Sequence, residues 1–139
     1  MKRFAKHLLK GGKASHAEKI MYATLYRLKN QIEDDPLYVI QKAVEHSQPL
    51  FTLKKRRVAG RTRQVPGLLR AKKREGIAVR WILEAAAQRQ KSSKGSLPFA
   101  ECLSAEFLDA FRKEGNVMRK KNELHKTAEA NRGFVKSLW

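Results

Sequence analysis

The chain has 139 residues and a mass of 16.0 kDa, enough for one buried core and too little for two independent ones. Its 31 Lys and Arg outnumber 13 Asp and Glu, and the resulting formal net charge of +18 calls for a polyanionic partner. A hydrophobic fraction of 42% excludes compositional disorder, no apolar run nears the roughly 20 residues of a membrane-spanning helix, and one cysteine with four scattered histidines excludes disulfide scaffolds and zinc fingers.

In chain order, the first expected element is a short helix at 2–10 carrying Phe4, Leu8 and Leu9, closed by Gly11 and Gly12. A second helix at 15–29 follows, with Ala17, Ile20, Met21, Thr24, Leu25 and Leu28 at the spacing of one helical face. Ser15 and Glu18 read as its capping box, each satisfying a backbone donor that the first turn leaves orphaned. Asp35 before Pro36 reads as an N-cap with proline at the first helical position, opening a third helix at 36–47 with a stripe of Leu37, Ile40, Ala43 and Val44. Glu33, Asp34, Asp35 and Glu45 against the lone Lys42 make this part of the chain close to neutral or acidic.

A β-hairpin is expected at 50–69, its strands flanking Ala59 and Gly60 and carrying Phe51, Leu53, Val58 and Val65. Pro66 has no amide hydrogen to donate, which favours an isolated two-stranded ribbon over a larger sheet. From Lys54 to Arg74 the chain holds Lys54, Lys55, Arg56, Arg57, Arg61, Arg63, Arg70, Lys72, Lys73 and Arg74 with no carboxylate among them. Folding gathers these like charges at a cost that an external anion lowers. A protruding ribbon so charged has the shape and charge to enter nucleic acid.

A fourth helix at 75–90 carries Ile77, Ala78, Val79, Trp81, Ile82, Leu83 and Ala85–Ala87 on more than one face, the pattern of a central core helix with Trp81 inside. The polar stretch 90–98 is a loop, and Pro98 opens a fifth helix at 98–114 with Phe99, Cys102, Leu103, Phe107 and Ala110 buried and Gly115 closing it at C′. A sixth helix at 117–130 buries Val117, Leu124 and Ala128 and shows Arg119, Lys120 and Lys121, a second basic surface. The fold class expected is mainly α: a single domain over 1–139, a six-helix bundle-like body with one protruding two-stranded β-hairpin.

Catalysis finds little support. His125 lies between Lys121 and Lys126 with no carboxylate or nucleophile singled out as its partner, and Gly11, Gly12 and Lys13 lack the leading glycine and the Ser or Thr of a phosphate loop. Asp34 and Asp35 fit a loop and cap better than metal ligands, so neither cofactor nor metal is expected. A duplex reader would place its charge on a recognition helix, whereas here it is densest on the ribbon and its exit strand; structured RNA, read by shape, phosphate and ribose, fits better. A membrane-surface role lacks the long amphipathic helix it needs.

Four segments are similar to the universal small-subunit ribosomal protein seven family in its bacterial and organellar form: GGKASHAEKIMYATL from Gly11, RRVAGRTRQVP from Arg56, AVRWILEAA from Ala78 and HKTAEANRGF from His125. The resemblance implies a non-enzymatic structural protein of the small ribosomal subunit that binds the 3′ major domain of its rRNA and aids assembly of the head. It implies neighbouring head and platform proteins as partners, and a hairpin near the tRNA exit site and the mRNA path. Core rRNA contacts carry over to Lys10, Lys13, Arg70–Arg74 and Arg119–Lys121, and exit-site contacts to Arg56–Arg63. Relative to bacterial members the chain starts almost inside the first helix, has a longer 90–98 loop and stops at Trp139, features that resemble mitochondrial members, with plastid or bacterial origin as alternatives.

Overall fold

The computed structural model describes residues 14–58 and 60–130. Five helices and one antiparallel ribbon follow in the order α1 (Ala14–Gln31), α2 (Pro36–Ser47), β1 (Phe51–Val58), β2 (Arg61–Leu68), α3 (Ala71–Ser92), α4 (Phe99–Phe111) and α5 (Gly115–Ala130). The mainly helical class with a single hairpin is therefore as expected. Five helices stand among the described residues where six were expected; the expected helix at 2–10 lies outside them.

Local signals set several boundaries. At α2 the Asp35 side chain accepts a hydrogen bond from the Leu37 amide at 3.1 Å and Pro36 fills the first turn, so this helix spans 36–47 as expected. On α1 the expected capping box is not formed as an N-cap: Ala14, the first described residue, is already helical, which places Ser15 within the helix. Its buried face is the expected one, with Ala17, Met21, Thr24 and Leu28 sealed from water. Thr24 is tolerated there because its hydroxyl donates to the Ile20 carbonyl at 2.7 Å.

Two expectations about the body are corrected. The central helix is α4, not the fourth expected helix: seven of its thirteen residues are buried, against four of the twenty-two in α3. It packs against α1, α2, α3 and α5, so no wide face is left for solvent. In α3 only Ala78, Val79, Ile82 and Ala86 face inward, while Ile77, Leu83 and Ala85 are half-buried and Trp81 is likewise half-buried at the margin of the core. The fifth helix does not end through Gly115. Lys113, at φ +58, occupies C′: its amide donates to the Ala110 carbonyl at 3.1 Å and the Glu114 amide donates to the Asp109 carbonyl at 2.7 Å, a Schellman closure. Gly115 instead starts α5 at φ +88, where a Cβ would stand 2.9 Å from that of Asp109. The same device ends α3, with Lys94 at φ +57, so the expected 90–98 loop shrinks to 93–98.

A partly buried ion cluster, with Glu106 at its inner end, ties α3 to α4. Arg89 donates through Nε to Glu106 Oε1 at 2.9 Å and through Nη2 to Asp109 Oδ2 at 2.8 Å. Burial pushes the Glu106 carboxyl above its ordinary value even with Arg89 beside it. Burial also works against the charge of Arg89, but Glu106 and Asp109 outweigh it and the guanidinium is held on.

Candidate nucleic-acid interface

The ribbon is built by strand pairing from Phe51 opposite Leu68 to Val58 opposite Arg61, with Gly60 at φ +79 in the two-residue connection. Eight residues per strand extend it by about 26 Å at the usual rise of a β-strand. Lys54, Lys55, Arg56 and Arg57 stand in sequence on β1, and Arg61 and Arg63 on β2. The register sets Arg56 directly across from Arg63, a like-charge pairing that weakens an isolated hairpin. The strand order thus concentrates charge where pairing alone gains least from it.

At its foot the ribbon is held by His125, which the sequence offers only as a catalytic base without a partner. His125, on α5, accepts the Leu50 amide hydrogen through Nε2 at 3.1 Å, and its ring meets that of Phe51 edge to face at 6.0 Å. Burial, with the charge of Lys121 nearby, pushes the imidazole below its ordinary 6.5, which keeps the ring neutral and Nε2 free to accept. Nothing local announces this role, because the partners are 75 residues apart. The helical position of His125 and the apolar start of β1 were the only hints available.

The ribbon runs directly into α3. Arg70 is the N-cap, and Lys72, Lys73 and Arg74 fill the first turn with no acidic residue among them. Arg70, Lys72, Lys73 and Arg74, which fall between the expected hairpin at 50–69 and the expected helix at 75–90, are therefore capping or helical. Apolar periodicity starts only at Ile77, so the run of cations gave no sign of the extra turn. Cations at a helix N-terminus oppose the backbone dipole, at about 0.3–1 kcal/mol each when exposed. Arg74 is half-buried and its Nε is a buried donor with no acceptor among the described residues.

The second basic surface divides. Arg119 is exposed and hydrogen-bonded to the side chain of Asn116, and Lys120 lies 5.1 Å from the centre of the Trp81 ring and 3.5 Å from Glu84. Lys121 is turned inward: its ammonium donates to the His46 carbonyl at 2.7 Å, and burial with the charge of Lys113 holds it below its ordinary 10.5. It closes the C-terminus of α2, while His46 itself donates from Nδ1 to the Ala110 carbonyl at 3.2 Å. Lys10 and Lys13 lie outside the described residues. Among the described residues no group of His, Cys, Asp and Glu is placed to hold a metal ion, and no helix is long and apolar enough to cross a membrane.

The family model described as ribosomal protein S7p/S5e matches residues 1–132. The chain belongs to this family. It is 37% identical to small ribosomal subunit protein uS7 of Acidithiobacillus ferrooxidans over 99% of this chain and 85% of that protein. It is 45% identical to small ribosomal subunit protein uS7c of Pleurastrum terricola over 94% of this chain and 81% of that protein. With uS7 of Sulfurihydrogenibium the identity is 38% over 92% of this chain and 79% of that protein. The family assignment gives a ribosomal context to the charge on β1, β2 and the first turn of α3.

Proposed function

We propose that the chain is a structural, non-catalytic constituent of the small ribosomal subunit that binds and organises rRNA during translation. The observation that carries this reading is the set of cations from Lys54 to Arg74 with no carboxylate among them, folded as a ribbon that enters the first turn of α3, in a chain of the S7p/S5e family. Phosphates along RNA supply the anions that relieve both the Arg56–Arg63 opposition and the cations at the start of α3. The rRNA contacts fall to Lys54, Lys55, Arg56, Arg57, Arg61, Arg63, Arg70, Lys72, Lys73 and Arg74, with Arg119 and Lys120 as a second patch. Lys121 belongs with them by sequence but is committed to the His46 carbonyl, so its contribution is to hold α5 against α2.

The finer reading follows the family. The body docks on the 3′ major domain and supports head assembly beside head and platform proteins, and the ribbon reaches toward the tRNA exit site and the mRNA path. The ribosome is mitochondrial, on the longer segment from Gln90 to Pro98 that resembles mitochondrial members, with a plastid or bacterial ribosome as the alternative. Cosedimentation with subunits isolated from each compartment decides among them.

Equilibrium binding to a transcript of the 3′ major domain, with duplex DNA of equal length as competitor, tests the reading. With six to ten phosphate contacts, log K falls against log salt with a slope of about −4 to −9, and the transcript outcompetes the duplex. Salt-insensitive binding, or equal preference for the duplex, refutes it.

A further inference from the structure

The groove between α3 and α5 plays no part in the reading above. Trp81, Glu84, Ala85, Gln88 and Ser92 line it from α3, and Asn116, Val117 and Lys120 from the start of α5; between them is a cavity of about 370 Å³. Trp81 packs partly against the core and leaves the rest of its ring to this cavity. Lys120 covers the ring at 5.1 Å, and Glu84, its carboxylate contact among the described residues, is 3.5 Å away. The two charged side chains are 53% and 58% exposed, so water screens their attraction and the lysine leaves the ring at little cost.

We propose that this groove receives an unpaired nucleobase of the bound RNA, stacked on the Trp81 indole. The lining chooses the occupant. An apolar side chain from a neighbouring protein needs apolar walls to gain by burial. Here Ala85 and Val117 give only a small apolar wall, and the indole is otherwise flanked by the amides of Gln88 and Asn116 and by the hydroxyl of Ser92, groups that hydrogen-bond the edge of a planar polar base. Lys120 already occupies the position above the ring, where a base would stack, and on its flexible stem it swings to the phosphate that the base brings with it. The cavity volume lies near the lower end of the range for small-ligand sites, about 300–1,000 Å³, which suits one base and excludes a helix. The inference rests on the RNA-binding reading and assigns to that reading a contact distinct from the ribbon.

Trp81 and Trp139 are the two tryptophans of the sequence, so the variant Trp139→Phe leaves the groove as the sole indole emitter. Titrated with the 3′ major domain transcript, its emission changes and saturates with the same Kd that filter binding gives. Trp81→Leu weakens the transcript about 5- to 100-fold, and Trp81→Phe, which keeps a ring to stack on, restores most of the affinity. Thermal melting of both variants separates a folding defect from a lost contact, and the phenylalanine variant keeps the test decisive if the leucine variant unfolds. Transcript binding at full affinity with unchanged emission and no loss in Trp81→Leu overturns the inference and leaves the RNA-binding reading standing. Emission that responds to purified neighbouring subunit proteins and not to RNA overturns it in favour of a protein tail. Absence of any transcript binding overturns both.

Discussion

Replacing Arg89 by leucine removes the charge partner of a carboxylate that has no other route to water. The Glu106 side chain is 1% exposed and 2.9 Å from Arg89 Nε, and Asp109 shares the same guanidinium at 2.8 Å. Breaking a fully buried pair from one side costs about 3–5 kcal/mol, because the remaining charge is left unpaired. The Arg89 side chain is 36% exposed, so solvent screens part of the interaction and the expected loss is about 2–3 kcal/mol. In a chain of this length that is a fall of roughly 6–15 °C in Tm. The loss depends on pH in a definite direction. Burial has raised the folded-state value of Glu106 above its ordinary 4.5, and loss of the cation raises it further. The folded variant then binds a proton that the unfolded chain releases, so its stability declines as pH rises above about 4.5. The difference from the parent chain widens from acid toward neutral pH. Calorimetric melts of Arg89→Leu and of Arg89→Leu/Glu106→Leu at several pH values measure this, with the double variant recovering much of the loss. A Tm within about 2 °C of the parent at neutral pH, with no pH trend, refutes the argument that Glu106 is sealed from solvent.

At the ribbon's foot, His125 has a folded-state value below its unfolded 6.5, so the unfolded chain binds the extra proton and stability is full above about 6.5 and lost as pH falls through the lower value; amide exchange at Leu50 accelerates over the same interval. His125→Leu removes that dependence at a global cost of about 0.5–1.5 kcal/mol, read by chemical denaturation. Gly115→Ala meets both a left-handed backbone at φ +88 and the Asp109 Cβ at 2.9 Å, and melts lower by about 1–3 kcal/mol, whereas Gly60→Ala, with open space around it, loses only the backbone term of roughly 1 kcal/mol. Alanine at Arg56, Arg57, Arg61 and Arg63 together leaves Tm within a few degrees, because it removes the Arg56–Arg63 opposition and no core, while the salt slope of rRNA binding becomes shallower by about 3 units. A large drop in Tm for that variant shows instead that the ribbon packs inward.

The sequence by itself determined what depends on neighbours a few residues away. Asp35 and Pro36 set the start of α2 because a cap and a fixed φ act within one turn, and the 3.6-residue spacing of Ala17, Met21, Thr24 and Leu28 set the buried face of α1. The ribbon was legible from β-branched residues around a glycine turn, and its cationic character from composition alone. Tertiary structure decided what depends on docking. That α4 rather than α3 is central follows from which helices surround it, and Glu106 is buried only because Arg89, 17 residues earlier, is brought beside it. Lys121 reads as one more surface cation until His46, 75 residues earlier, offers it a carbonyl, and His125 becomes the ribbon's anchor only when Leu50 is laid against it. Periodicity and caps are short-range and additive, so they survive in one dimension. Desolvation and pairing are set by the environment that packing creates, and the same lysine or glutamate belongs to the surface or the interior according to what closes over it.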